Sequence, residues 1–64
     1  MNFIFNDDEF KNVEFYANTW RQALYYLRDV FRIQGRLRIT QDLYGRTRFY
    51  KLDNSDYGFS LKVK

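Results

Sequence analysis

The chain has 64 residues, with eleven Lys and Arg against eight Asp and Glu for a formal charge of +3, and 22% of it is Phe, Tyr or Trp. That length confines it to one small domain over residues 1–64, of a size that buries only about 60% of its unfolded surface and commonly needs a disulfide, a metal or a partner as a staple. With no Cys and no His, disulfide frameworks, thiol or imidazole catalysis and zinc sites built on those ligands are excluded, which leaves bulky aromatic packing or a second subunit to supply the stability.

In chain order, Asn2 to Phe5 reads as a short strand with Phe3 and Phe5 on one face, followed by the polar turn Asn6-Asp7-Asp8-Glu9. Phe10 to Tyr16 is the candidate returning strand, with Val13 and Phe15 as its only clean alternation. A helix is predicted from Trp20 to about Gln34. Thr19 followed three residues later by Gln22 makes a capping box, and Gly35 stands where a left-handed residue ends a helix. At 100° per residue Trp20, Ala23, Leu24, Leu27, Val30 and Phe31 share one apolar arc, and Arg21, Tyr25, Arg28 and Arg32 form a ridge on its flank.

After Gly35 the period changes to two. Arg36 to Gln41 alternates Leu37 and Ile39 with Arg36, Arg38 and Thr40, and Asp42-Leu43-Tyr44-Gly45 has the Asp-first, Gly-fourth pattern of a type I turn. A three-residue loop with Gly45 as a left-handed bulge pairs Ile39 with Phe49, Arg38 with Tyr50 and Asp42 with Arg46, which keeps each face chemically uniform. The same criterion puts Asn54, Ser55 and Asp56 in the next loop, with Phe49 opposite Leu61, Thr47 opposite Val63 and Arg48 opposite Lys62. Tyr57 to Lys64 is the clearest strand, with Tyr57, Phe59, Leu61 and Val63 facing inward. The expected fold is α+β, a single helix packed on one face of a mostly antiparallel sheet, as a ββαβββ or βαβββ roll.

Charge is unevenly spread along this plan. Residues 1–20 hold Asp7, Asp8, Glu9 and Glu14 against Lys11, whereas residues 21–52 hold all seven arginines and Lys51 against only Asp29 and Asp42. No apolar run approaches the roughly 18 residues of a membrane span, and the acidic start lacks the basic and hydrophobic regions of a signal peptide. A reducing, cytoplasmic setting is the expectation.

On the expected outer sheet face Arg36, Arg38, Arg46, Arg48, Lys62 and Lys64 surround Tyr50. Cations track a phosphate backbone and an exposed ring takes a base, so the patch points to nucleic acid, while an ordinary solvated strand face is the plainer alternative. The ridge of Arg21, Tyr25, Arg28 and Arg32 is a secondary basic surface, or a solvated face on which Asp29 pairs with Arg32. Tyr25, Tyr26 and Ile33 lie off the main apolar arc as a candidate oligomer contact, unless Phe10 or Phe15 of the N-terminal segment covers them.

Asp7, Asp8 and Glu9 read as turn-solvating, backbone-capping residues, since the twelve-residue calcium loop and its glycine are missing. There is no Gly-rich phosphate loop, nucleophile elbow or paired-acid spacing, so no enzyme is expected. The expectation is a small non-catalytic protein that binds single-stranded or structured nucleic acid through a basic strand face. The alternative is a protein-interaction module, an adaptor or inhibitor of a larger host or viral complex. Partners are nucleic acid or an acidic protein surface, with a second copy of the chain as another; no cofactor, metal, membrane or small-molecule substrate is expected.

Overall fold

A computed structural model describes residues 1–64 throughout. The alternation of Phe3 and Phe5 makes β1 (Asn2–Asn6), which pairs antiparallel with β2 (Val13–Tyr16), Phe3 opposite Phe15 and Phe5 opposite Val13. The turn between them is held by Asp7, whose Oδ1 accepts the amides of Glu9 (2.8 Å) and Phe10 (2.6 Å), and by Asn6, whose side chain accepts the Asn12 amide at 2.8 Å. Of the acidic run, Asp7 thus caps backbone donors, as expected of a turn carboxylate. The returning strand is shorter than predicted because this loop extends to Asn12, at φ 53°.

Helix α1 covers Trp20–Phe31. The Thr19 hydroxyl accepts the Gln22 amide at 3.1 Å, and the Gln22 side chain accepts the amide of Asn18, one residue upstream of the partner a capping box uses. The C-terminal end departs from expectation. Arg32, at φ 57° and ψ 37°, takes the left-handed position assigned to Gly35, so the helix stops three residues before Gln34. Continued as a helix, Ile33 would face away from the core arc at 100° per residue. The break turns Ile33 inward, where it is buried.

Strands β3 (Leu37–Leu43), β4 (Thr47–Leu52) and β5 (Gly58–Val63) complete a five-stranded antiparallel sheet in the order β2-β1-β5-β4-β3, giving the ββαβββ arrangement. The helix packs on one face of this sheet and leaves the other uncovered. The core between helix and sheet is largely aromatic: Phe3 meets Trp20 edge-on at 5.1 Å, Phe5 lies 4.7 Å from Phe31 and 5.3 Å from Phe59, and Tyr50 stacks on Phe59 at 5.2 Å. Such pairs add about 0.5–1.5 kcal/mol each beyond area burial. Ring packing is therefore the staple of this small chain.

Both predicted C-terminal registers are off by one or two residues. Ile39 pairs with Tyr50 and Arg38 with Lys51, a bulge at Thr40 shifts the ladder, and Gln41, Asp42 and Leu43 then oppose Phe49, Arg48 and Thr47. Tyr44 and Gly45 both have positive φ and the Arg46 amide donates to the Leu43 carbonyl at 3.0 Å, the φ signs of a type I′ hairpin turn rather than a type I turn. In the β4–β5 ladder Phe59 faces Tyr50, Leu61 faces Arg48, and Lys62 faces Thr47. One step in register exchanges the two faces of a strand. Tyr50 is consequently a core residue, and Phe49 is on the uncovered face.

The slip follows from what the uniform-face criterion left out. Arg48 tolerates the helix side of the sheet because its guanidinium lies 4.3 Å above the Trp20 ring and its Nε donates to Asp42 Oδ2 at 3.3 Å, so the stem covers apolar surface while the charge stays at the rim. Ile39 sits on an edge strand, in the groove between helix and sheet, and remains 49% exposed.

Candidate functional site

The seven residues expected to share one outer face are divided among four places. Arg36 precedes β3 and Arg46 lies in the β3–β4 turn, both exposed. Arg48 and Tyr50 face the helix, Tyr50 stacked on Phe59 rather than open to a base. Arg38, Lys62 and Lys64 do lie toward the uncovered face. The predicted opposition of Arg48 and Lys62 is absent, because Arg48 faces Leu61.

A different constellation occupies the uncovered face. Phe49 stands on the second strand from the edge, 37% exposed, with Thr47 and Lys51 beside it along β4 and Gln41 and Ser60 as its cross-strand neighbours. Lys62 lies diagonally across from it on β5. Arg38 is directly opposite Lys51, so the like-charge pair exists on other residues than those predicted. Like charges opposed in a ladder are destabilising, and here Asp53 offsets the pair with a carboxylate 3.4 Å from Arg38 Nε. Lys64 is bonded to Glu14 at 3.1 Å. Neither Lys51 nor Lys62 belongs to any of the three ion pairs.

The surface beside Phe49 is dished. Gly58, opposite Lys51, has no side chain, and a Cβ there would lie 2.9 Å from the Tyr50 carbonyl oxygen. The resulting shallow concavity, about 380 Å³, is lined by Phe49, Lys51, Gly58 and Ser60, with Asp7, Asp8 and Asp56 along one end. The face therefore has a ring, two ammonium groups outside any ion pair and a dip beside the ring, with Asp7, Asp8 and Asp56 at one end of the dip.

The secondary ridge is present on the opposite side of the sheet. Arg21, Tyr25 and Arg28 line a groove with Trp20, Leu24, Leu37, Ile39, Arg48 and Tyr50, whereas Arg32 stands at the helix end beside a separate cleft lined by Phe10, Ile33 and Tyr57. Asp29 does not pair with Arg32. The expected oligomer patch is dispersed. Tyr26 stacks on Phe15 at 4.4 Å and stays 40% exposed, Ile33 is buried, and Tyr25, 62% exposed, is on the other flank of the helix, so the three do not form one patch. Phe10 likewise packs on Phe31 at 5.0 Å.

No side chains cluster as metal ligands, and no helix is long and apolar enough to cross a membrane. No protein-family model, curated protein or solved structure matches the chain. Phe49 and Lys51 were missed in the sequence because the faces of β4 were assigned one residue out of step. The signal was there in a second alternation, Thr47, Phe49 and Lys51, which is as regular as Arg48, Tyr50 and Leu52.

Proposed function

We propose that the protein is a small, non-catalytic nucleic-acid-binding module that uses the uncovered sheet face to hold single-stranded segments with little sequence preference. The observation that carries this reading is Phe49, a solvent-facing ring on an uncovered sheet flanked by the unpaired Lys51 and Lys62 and by the opposed cations Arg38 and Lys51. A ring on a flat sheet offers a stacking surface that every base can use, while the ammonium groups meet phosphates. An anion at the Arg38 and Lys51 pair also relieves the repulsion that Asp53 only partly offsets. The dip at Gly58 leaves room for a base edge beside the ring. A cysteine-free chain suits a reducing cytoplasmic setting.

Fluorescence anisotropy of a labelled oligo-dT strand at two salt concentrations tests the reading. Affinity should fall steeply with salt, and Phe49→Ala should weaken binding by roughly 1–3 kcal/mol. Lys51→Gln with Lys62→Gln should reduce affinity for unrelated sequences alike and lower the salt slope by about 0.7 for each phosphate no longer neutralised. Absence of binding at low salt, or full affinity in Phe49→Ala, rejects the proposal.

A further inference from the structure

The groove on the helix side has a different chemistry from the uncovered face. Its lining is apolar between the arginines, with Leu24, Leu37 and the half-exposed Ile39 beside the rings of Trp20, Tyr25 and Tyr50, and its volume is about 410 Å³. Arg21 and Arg28 stand along the helix wall and take part in no ion pair. Arg28 is oriented by a hydrogen bond from its guanidinium to the Ile33 carbonyl at 3.2 Å, and Arg21 lies in a first helical turn that holds no acidic residue. The opposite wall is β3, which the strand order leaves at the edge of the sheet with one side of its backbone unpaired.

We infer that this groove is a docking site for an acidic, extended segment of a partner protein, which adds as a sixth strand to β3 and sets its carboxylates against Arg21 and Arg28. An added strand gains affinity from main-chain hydrogen bonds and specificity from alternate side chains. Alternate side chains of an added strand point to opposite faces, so the set that faces the helix carries both apolar residues over Ile39 and Leu37 and carboxylates against Arg21 and Arg28. Acidic side chains are selected by arginines that have no carboxylate of their own, and guanidinium groups match carboxylates bidentately. The bulge at Thr40 interrupts the edge beyond Ile39, which limits indiscriminate pairing and confines addition to the stretch facing the arginines.

The experiment uses the full chain, labelled with 15N, and two capped peptides of about eight residues, long enough to pair with β3. One has the repeat Glu-Thr-Val-Thr, so that Glu and Val alternate along a single face, and the other has Lys in place of Glu. The Val-Glu peptide should bind and shift the amides of Leu37 to Ile39 and of Arg21 to Arg28, leaving Phe49 and Lys62 unmoved, while the Val-Lys peptide should not bind. Arg21→Glu with Arg28→Glu should weaken Val-Glu binding at least ten-fold and confer binding of Val-Lys. Should that double variant lose its helical circular dichroism, Ile39→Glu carries the test, because it leaves both arginines in place and sets a repelling carboxylate in the groove.

Equal binding of the two peptides, no binding of Val-Glu at low salt, or shifts confined to Phe49 and Lys62 overturns the inference. So does an oligonucleotide that shifts the same groove amides more strongly than the peptide, or sedimentation showing that a second copy of the chain occupies the groove. Binding at the uncovered face is read separately, at Phe49 and Lys62, so the two proposals fail independently.

Discussion

The Tyr57 hydroxyl donates a 2.8 Å hydrogen bond to Asp7 Oδ2, joining the β1–β2 loop to the residue that precedes β5 across 50 positions of sequence. Burial pushes the Asp7 carboxyl up, but this is outweighed by hydrogen bonds from the Phe10 amide, the Tyr57 hydroxyl and the Glu9 amide, with the Lys11 charge, so the group titrates below its usual 3.8. Tyr57 moves the other way. Burial, its bond to Asp7 and the nearby charges of Asp7, Asp8 and Glu9 hold the phenol protonated beyond its ordinary 10.0.

The sign of each pH effect follows from linkage. A carboxyl lowered by folding stabilises fully above its unfolded value and loses that contribution as pH falls through the lower folded one. A phenol raised by folding stabilises fully below pH 10 and loses that contribution as pH rises further. Tyr57→Phe should therefore cost about 1–2 kcal/mol near neutrality, with a shallower loss of stability below pH 4 and above pH 10. Urea unfolding across pH reads all three effects, and an unaltered acid limb in the variant would show that the bond does not tune Asp7.

Arg48 and Trp20 give a second test with a built-in reporter, since Trp20 is the only tryptophan. The guanidinium sits over the ring at 4.3 Å and is also bonded to Asp42. Arg48→Lys keeps the charge but loses the planar stacking geometry. It should shift Trp20 emission and cost about 0.5–1 kcal/mol, while Asp42→Asn, which removes a partly exposed ion pair, should cost less. Equal effects of the two substitutions would assign the stabilisation to the ion pair instead.

At the end of α1 a non-glycine residue holds a left-handed conformation, Arg32 at φ 57°. Arg32→Gly removes the steric penalty on the Cβ, whereas Arg32→Ala keeps it, so the glycine variant should be the more stable by about 0.5–1 kcal/mol in denaturant unfolding. A more stable alanine variant would mean that the helix continues past Phe31 when given the choice, and Ile33 would then leave the core.

The element types were legible in the sequence, and the faces of two strands were not. Helix period, the Thr19 cap and the Phe59-Leu61-Val63 alternation each express a local rule that the fold obeys. Register in β3 and β4 depends on things no local pattern carries: the unpaired residue at Thr40, and the room for Arg48 to lie along Trp20. Since Tyr50 and Phe49 are adjacent, one step of register exchanged a core ring for a surface ring and redrew the candidate site around Phe49, Lys51 and Lys62. The tie between Tyr57 and Asp7 was invisible for the same reason, because it spans the chain. Arg32 overrode the glycine rule because burying Ile33 requires the helix to end before Gly35 is reached.

Gly58 links the fold to the proposed site. A Cβ at this position would come within 2.9 Å of the Tyr50 backbone oxygen, and Gly58 pairs with Lys51 in the β4–β5 ladder. A backbone atom cannot yield as a flexible side chain does, so Gly58→Ala has to push the two strands apart at the point where Tyr50 meets Phe59 in the core. Overpacking of this kind costs about 1–3 kcal/mol, to be read as a lower urea midpoint with an unchanged slope. The same methyl group fills the dip next to Phe49, so oligo-dT affinity should fall in a variant that is still folded at low temperature. Lys62→Gln on the same strand is exposed and should lose affinity without the loss of stability. If Gly58→Ala proves as stable as the parent, the close approach of β4 and β5 is wrong; if it is destabilised yet binds oligo-dT undiminished at low temperature, the bases do not use the surface between Phe49 and Gly58.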